Sequence, residues 1–137
     1  SSGTDGGGFT SGSWQTREIN TEVSDPDGIG TLSSNQITLG AGTYIIKAEA
    51  TAFGVARNQL RLYDITNDVV LALGVNTLST ASNMAAAAHV VWHGTLSGST
   101  AIKLQHRCQT TVALTGLGVA CSFGTEVYAT VTIMKLA

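Results

Sequence analysis

The chain has 137 residues, carries 7 Lys and Arg against 9 Asp and Glu, and is only 12% charged, with a net charge of −2. Hydrophobic residues make up 43% and the mean hydropathy is +0.20. This balance argues against disorder, excludes a coiled coil, which needs abundant Glu, Lys and Leu, and disfavours nucleic-acid binding by bulk charge. Glycine, serine and threonine supply about a third of the residues. A chain of 14.1 kDa should expose roughly 6,700 Å², which so few charges cover thinly. Two solutions exist: a surface dressed in uncharged polar residues, or burial against other copies.

Residues 1–12 are rich in Gly, Ser and Thr and are expected to form a flexible linker ahead of a single domain over 13–137. They lack the charged-then-apolar order of a signal peptide, and no run reaches the 18 or so apolar residues of a membrane helix. Segment 13–20, with Trp14, Thr16 and Ile19, is β-prone. Asp25-Pro26-Asp27-Gly28 marks a turn, because Pro presets φ and Gly accepts positive φ. A short strand is predicted over 35–39, followed by a turn at Gly40. Segment 43–53 alternates with period 2: Tyr44, Ile46, Ala48, Ala50 and Ala52 share one face, and Lys47, Glu49 and Thr51 the other.

The alternation returns over 58–65, with Leu60 and Leu62 set against Gln59 and Arg61. The turn at 66–68 leads into a strand over 69–73, and 74–85 reads as a polar loop. A further strand is predicted over 89–96. The alanine run at 84–88 competes as a short helix, since Ala is the best helix former. The clearest alternation is 101–109, where Ile102, Leu104, His106 and Cys108 oppose Lys103, Gln105, Arg107 and Gln109. A Gly/Thr-rich loop over 110–125 precedes the last strand at 126–136. Short strands at regular spacing, with one proline and no strand–helix alternation, predict an all-β sandwich or barrel of about 8–10 antiparallel strands.

Candidate chemistry is sparse. His89 and His93 fall on one strand face but about 13 Å apart, too far to ligate one metal without a cross-strand partner such as His106. His106 lies on the apolar face of its strand, and its default reading is a satisfied core or interface histidine. The His-x-x-x-His spacing does not fit the metal site of a cupin. No Gly-x-Ser-x-Gly elbow and no phosphate loop is present. Gln59 with Arg61, and Gln105 with Arg107, suggest a polar network across neighbouring strands. Cys108 and Cys121 are too few for a disulfide scaffold or a zinc cage; buried free thiols are the leading reading, with a disulfide left open. No enzyme activity, metal or cofactor is expected.

The segments SWQTREIN, LSSNQITLGAGTYIIKAEATAF, NQLRLYDITND, HGTLSGSTAIKLQHRC and GTEVYATVTIMK, in that order, resemble the C-terminal domain of bacteriophage tail-fibre proteins. The resemblance spans about residues 13–136. It implies a jelly-roll β-sandwich of the complement and tumour-necrosis-factor type, assembled as a homotrimer at the fibre tip of the virion. The family plan puts both termini at one end, toward the shaft. The connections at 21–35, 53–57, 74–86 and 110–125 then lie at the far end, with the Gly40, Thr66 and Ser97 turns near the shaft.

The implied role is receptor binding during host adsorption, with a bacterial cell-surface glycan or outer-membrane protein as partner, and without nucleic acid or membrane insertion. Long loops on a rigid scaffold are the usual place for such a site. The candidate receptor-binding residues are Asp25, Asp27, Arg57, Asn76, Asn83 and Thr111. Tyr44, Trp92, His106 and Tyr128 are candidates for the trimer interface or the core, and His106 also for a position near the threefold axis, where three copies would hold an anion, water or metal. Asp25 and Asp27 carry a calcium reading beside their reading as a plain turn. The alternatives are a purely structural trimerisation cap or virion decoration, and a secreted complement-like signalling head. The composition puzzle then yields an expectation: an apolar interface, with uncharged polar surface gathered at one end.

Overall fold

The computed structural model describes residues 2–80 and 84–137, and among them there is no helix. Ten strands run in chain order: β1 Gln15–Thr16, β2 Gly30–Ser33, β3 Gln36–Leu39, β4 Gly42–Phe53, β5 Ala56–Asp64, β6 Val69–Leu73, β7 Thr77–Ser79, β8 Ala85–Leu96, β9 Thr100–Cys108 and β10 Ala129–Lys135. They form two antiparallel sheets. The larger has the order β2-β3-β9-β5-β6, with β1 also on β9 and β7 also on β5; the smaller is β10-β4-β8.

The period-2 pattern becomes the packing. Tyr44, Ile46, Ala48 and Ala50 of β4 and Ala88 and Val90 of β8 are buried against Leu39, Leu60, Leu62, Ile102 and Leu104 of the larger sheet. Each sheet thus turns one face to a shared interior, and the chain is an all-β sandwich. The β4–β8 ladder is continuous from Gly42↔Leu96 to Phe53↔Ala85. It settles the fate of the alanine run. Ala85 to Ala88 lie opposite Phe53 to Ala50 as strand, because the ladder and the burial of Ala88 outweigh a helix preference of a few tenths of a kcal/mol per residue.

Residues 30–39 form a hairpin whose first strand falls in the segment 21–35, read from the sequence as a connection. Ser33 pairs with Gln36, and the two residues between them, Ser34 and Asn35, have φ of 52° and 60°. That is the all-positive pattern of a two-residue hairpin turn, which Asn-Gly usually signals and Ser-Asn does not. The extra strand β2 reverses the direction of everything before it. Gly30 lies opposite Leu39 and Leu39 opposite Thr100, so β2 starts at the end bearing the Gly40 and Ser97 turns. β1 lies opposite His106 and Gln105, and so starts at the other end.

Two expectations about placement are corrected by this parity. The turn with Asp25 and Asp27 sits at the turn end, not with the long loops. The chain termini do not share an end. The Ala137 carbonyl accepts a bond from Thr43 N at the turn end. Residues 3–11 instead lie along 110–126 at the loop end, with Phe9 fully buried.

Candidate functional site

Three connections converge at the loop end: residues 54–55, the segment between β6 and β8, and the long segment from Gln109 to Tyr128. The last has no regular secondary structure, so its backbone groups need other partners. Arg17, just beyond β1, supplies several. It is 2% exposed. Its guanidinium donates to the carbonyls of Thr51 at 3.2 Å, Leu117 at 3.2 Å and Tyr128 at 3.0 Å. One side chain therefore ties β4, the long loop and the approach to β10 together. Burial pulls its pKa down to about 10, still leaving it charged at neutral pH. Thr51 Oγ1 donates to the same Leu117 carbonyl at 2.7 Å.

A second brace closes the tip of the loop. The Glu126 carboxylate accepts bonds from Gly3 N at 2.9 Å, Cys121 N at 2.8 Å and Ser122 N at 3.0 Å. These backbone donors, Gly3 first, hold its pKa below the ordinary carboxylate range. Asp5 Oδ1 accepts from Ala120 N at 2.9 Å. At the tip so formed stands Phe123, 95% exposed. Leu114 and Val127 are exposed in the same segment. The loop end is therefore not the purely polar surface the composition suggested. In a loop without period, nothing in the sequence says which apolar residue faces water.

The predicted residues distribute unevenly. Arg57 is the second residue of β5, at the loop end, and its Nε donates to Gln109 Oε1 at 2.9 Å. Thr111 is exposed two residues farther on; its hydroxyl oxygen accepts from Ser11 N at 2.9 Å and donates to Ser11 Oγ at 3.1 Å. Asn76 is exposed beside Thr77, which pairs with Asn58 of β5. These three share an end. Asn83 lies outside the described residues. Asp25 is at the opposite end, and its oxygens accept from Ile29 N at 2.9 Å and Gly30 N at 3.1 Å. Those bonds, Ile29 first, lower its pKa and make it the brace of its own turn. Asp27 is exposed in that turn.

Tyr44 is fully buried, with its hydroxyl donating to the Gly40 carbonyl at 2.9 Å. Trp92 is half-buried and packs against the core. Tyr128 is half-buried, with its hydroxyl on the Thr4 carbonyl, and burial, then the Glu126 charge, raises its pKa. His106 lies wholly inside the chain, so it does not face a threefold axis. Its Nε2 is 2.9 Å from Asn58 Oδ1, and its ring centroid is 4.6 Å from that of Phe9. Asn58 Nδ2 donates to the Ala56 carbonyl, so Oδ1 is the acceptor and Nε2 carries the proton. Nδ1 has no partner among the described residues. Burial, helped by the nearby Arg17 charge, pushes the His106 pKa down to about 3.

Around that ring lies a satellite core of Phe9, Ala52, Val55 and Cys108, with Val112 and Leu117 packed on it. The two cysteines are free, Cys108 buried and Cys121 exposed; burial raises the Cys108 thiol pKa. The expected strand-crossing polar network is present, with Arg61 Nε donating to Gln105 Oε1 at 2.7 Å and its guanidinium 4.3 Å from the Trp14 ring. On the outer face of the smaller sheet His89 Nδ1 is 3.4 Å from Glu49 Oε2, with both side chains about half exposed, a pairing worth little in stability. No group of three His, Cys, Asp or Glu that could hold a metal occurs among the described residues. A depression of about 60 Å³ lined by Glu49, Thr51, Ala87 and Tyr128 falls well short of the roughly 300–1,000 Å³ of small-molecule sites. The geometry thus offers a braced surface rather than an enclosed pocket. No protein-family model and no curated protein sequence matches the chain.

Proposed function

We propose that the chain is a homotrimeric jelly-roll head domain of a bacteriophage tail fibre, and that its loop end binds a bacterial surface glycan during adsorption. The observation that carries this reading is the braced tip. A fully exposed aromatic, Phe123, stands on a loop whose backbone is tied down by Glu126, Asp5 and Arg17. Bracing the backbone that carries the aromatic lowers part of the ordering cost of binding, and the ring's face suits the apolar side of a sugar. Thr111, Asn76 and Arg57 supply hydrogen-bonding groups at the same end. Three copies would add avidity to weak single sites.

One observation supports the jelly roll and one the assembly. The path crosses between the sheets at β3–β4, β4–β5, β7–β8, β8–β9 and β9–β10, which is compatible with a jelly roll. The outer face of β10-β4-β8 carries rows such as Met134–Ile45–His93 and Thr132–Lys47–Val91, with Val91 and Met134 exposed. Exposed Val91 and Met134, beside Lys47 and the Glu49–His89 pair, give this face the mixed apolar and polar character of a surface that can pack on a second copy.

One observation favours the structural alternative, a trimerisation cap without a receptor: residues 3–11, on the side that the family plan joins to the shaft, lie at the loop end and cover part of it. The two readings separate on a glycan array and a panel of fluorescently stained bacterial strains probed with the domain. Receptor binding predicts saturable binding that Phe123→Ser abolishes while the thermal melt is unchanged. A trimer that binds nothing, or binds equally well without Phe123, leaves the structural cap. Light scattering tests the assembly; a mass near 14.1 kDa rather than about three times that value overturns the trimer.

A further inference from the structure

The larger sheet buries one face, and its other face gathers the cations. Arg61 lies opposite Gln105, Gln59 opposite Arg107 and Tyr63 opposite Lys103. Gln109 N donates to the Arg57 carbonyl at 2.8 Å just past β9, so Arg57 belongs to the same outward rows. Three of the four arginines, and four of the seven Lys and Arg, therefore share one surface. Arg107 stands diagonally to both Arg57 and Arg61, at the roughly 7–8 Å that such cross-strand diagonals span.

No carboxylate pairs with this charge among the described residues. The strands of the larger sheet contain one acid, Asp64, and it is buried on the inward face. Glu18, just beyond β1, has its Oε1 engaged by Asn20 Nδ2 at 2.7 Å. The one ion pair among the described residues, His89 with Glu49, lies on the smaller sheet.

The arginines are also held in place. Arg57 Nε donates to Gln109 Oε1 at 2.9 Å and Arg61 Nε to Gln105 Oε1 at 2.7 Å. The Arg61 guanidinium carbon lies 4.3 Å from the Trp14 ring centroid and 4.9 Å from that of Tyr63, within the range at which a ring attracts a cation. In both arginines a glutamine amide fixes the Nε edge without neutralising the charge. The Nη atoms have no acceptor among the described residues, which leaves the forked donor that fits a carboxylate or phosphate. Burial, then the Arg107 charge, lowers the Arg61 pKa; the two guanidinium groups repel, and an anion between them would relieve both.

We infer that the glycan of the proposed function is acidic, and that Arg57, Arg61 and Arg107 on the outer face of the larger sheet hold its carboxylate or phosphate groups. The inference rests on the glycan reading and gives it a second contact surface, reached from the loop end through Arg57. The size of the patch favours a saccharide over a nucleic acid. Arg57 and Arg61 are four positions apart on β5, about 13 Å, on a chain of net charge −2. That suits one or two charges on an otherwise neutral polymer rather than a continuous phosphate backbone.

The test titrates the full chain at low ionic strength with four probes: oligogalacturonate, its neutral methyl ester, a phosphate-bridged mannan oligomer and oligothymidylate. The inference predicts that an acidic saccharide binds, that the methyl ester does not, and that salt weakens the binding. Whichever acid binds names the anionic group. Arg107→Gln, at an exposed residue, should weaken that binding about tenfold or more. Arg61→Lys keeps the charge, loses the planar fork and should weaken it too; should that variant melt early, Arg107→Gln still decides. Acidic saccharides bound no better than the methyl ester, or bound equally by Arg107→Gln, overturn the inference, and binding on the glycan array then leaves the glycan reading standing. Oligothymidylate bound as tightly as the acids assigns the patch to nucleic acid instead. A chain that binds no probe and nothing on the array overturns both readings.

Discussion

His106 gives the chain a pH dependence that can be worked out in advance. The folded protein holds this histidine neutral, with a pKa of about 3 against 6.5 in the unfolded chain. Below pH 6.5 the unfolded chain takes up a proton that the folded chain refuses. The histidine's cost is therefore absent above pH 6.5 and grows as pH falls toward 3. The gap between the two values, at about 1.4 kcal/mol per pH unit, puts the full effect near 5 kcal/mol. At pH 5 only the part between 6.5 and 5 is felt, about 2 kcal/mol. For a chain of this size that is a fall in Tm of roughly 6–10 °C between pH 7.5 and pH 5.

The perturbation is His106→Gln, which keeps a donor for Asn58 Oδ1 and cannot take up the proton. It should destabilise the chain at pH 7.5, yet show a pH slope flatter by about 2 kcal/mol across the same window. Asp25 and Glu126 do not confuse the result, because backbone donors hold both below the ordinary carboxylate range and their contributions are lost only in stronger acid. Urea melts at four pH values between 7.5 and 5 measure the slopes. Parallel slopes for the two proteins would refute the burial argument, as would an NMR titration showing the His106 ring protonating near pH 6.5.

The satellite core makes Phe9→Ala a severe change, costing about 3–5 kcal/mol for the lost burial and the cavity left behind, read from urea midpoints at pH 7.5. Arg17→Met should cost about 2–4 kcal/mol, since it removes three charge-assisted bonds to the carbonyls of Thr51, Leu117 and Tyr128 and leaves only Thr51 on the last two; hydrogen exchange should quicken at 112–122 while the β4–β8 ladder stays protected. Equal protection of the loop in wild type and variant would show that Arg17 is not its tie. Phe123→Ala should leave stability within about 0.5 kcal/mol, as expected for an exposed side chain away from special features. A larger loss in thermal melts would mean that the tip packs on something.

What was legible in the sequence is the part that repeats. The alternation in β4 and β9 names the buried faces, down to His106 and Cys108, because period 2 follows from strand geometry alone. The Ser34-Asn35 hairpin was not legible, since its positive φ values sit on residues that do not advertise them. That one omission reversed the assumed direction of the N-terminal strand and misplaced Asp25 and Asp27. Residues acting from irregular segments were equally invisible. Phe9 sits in what composition calls a linker, Phe123 in a Gly/Thr-rich loop, and Arg17 in a segment whose polar residues gave no hint of burial. Each owes its role to contacts 100 or more positions away, or, for Phe123, to the brace that such contacts maintain.

The scarcity of charge looks different once the charges are located. Asp5, Asp25, Asp64 and Glu126 each accept backbone N–H bonds that fix a turn or a loop, and Arg17 holds three backbone carbonyls. Charge-assisted bonds of this kind are about twice as strong as neutral ones, and a charge-poor chain places several of its few charges where the backbone lacks a ladder. The surface of 7376 Å² is then covered by fewer charges still than the count suggests. It exceeds the roughly 6,700 Å² expected for a monomer of this mass. Loops held by ionised braces are rigid near neutral pH and loosen in acid, as the carboxylates accept protons and release their backbone donors. Backbone donors hold Glu126 below the ordinary carboxylate range, whereas the cost of keeping His106 neutral begins below pH 6.5, so on acidification the sandwich loses stability before the tip loses its brace.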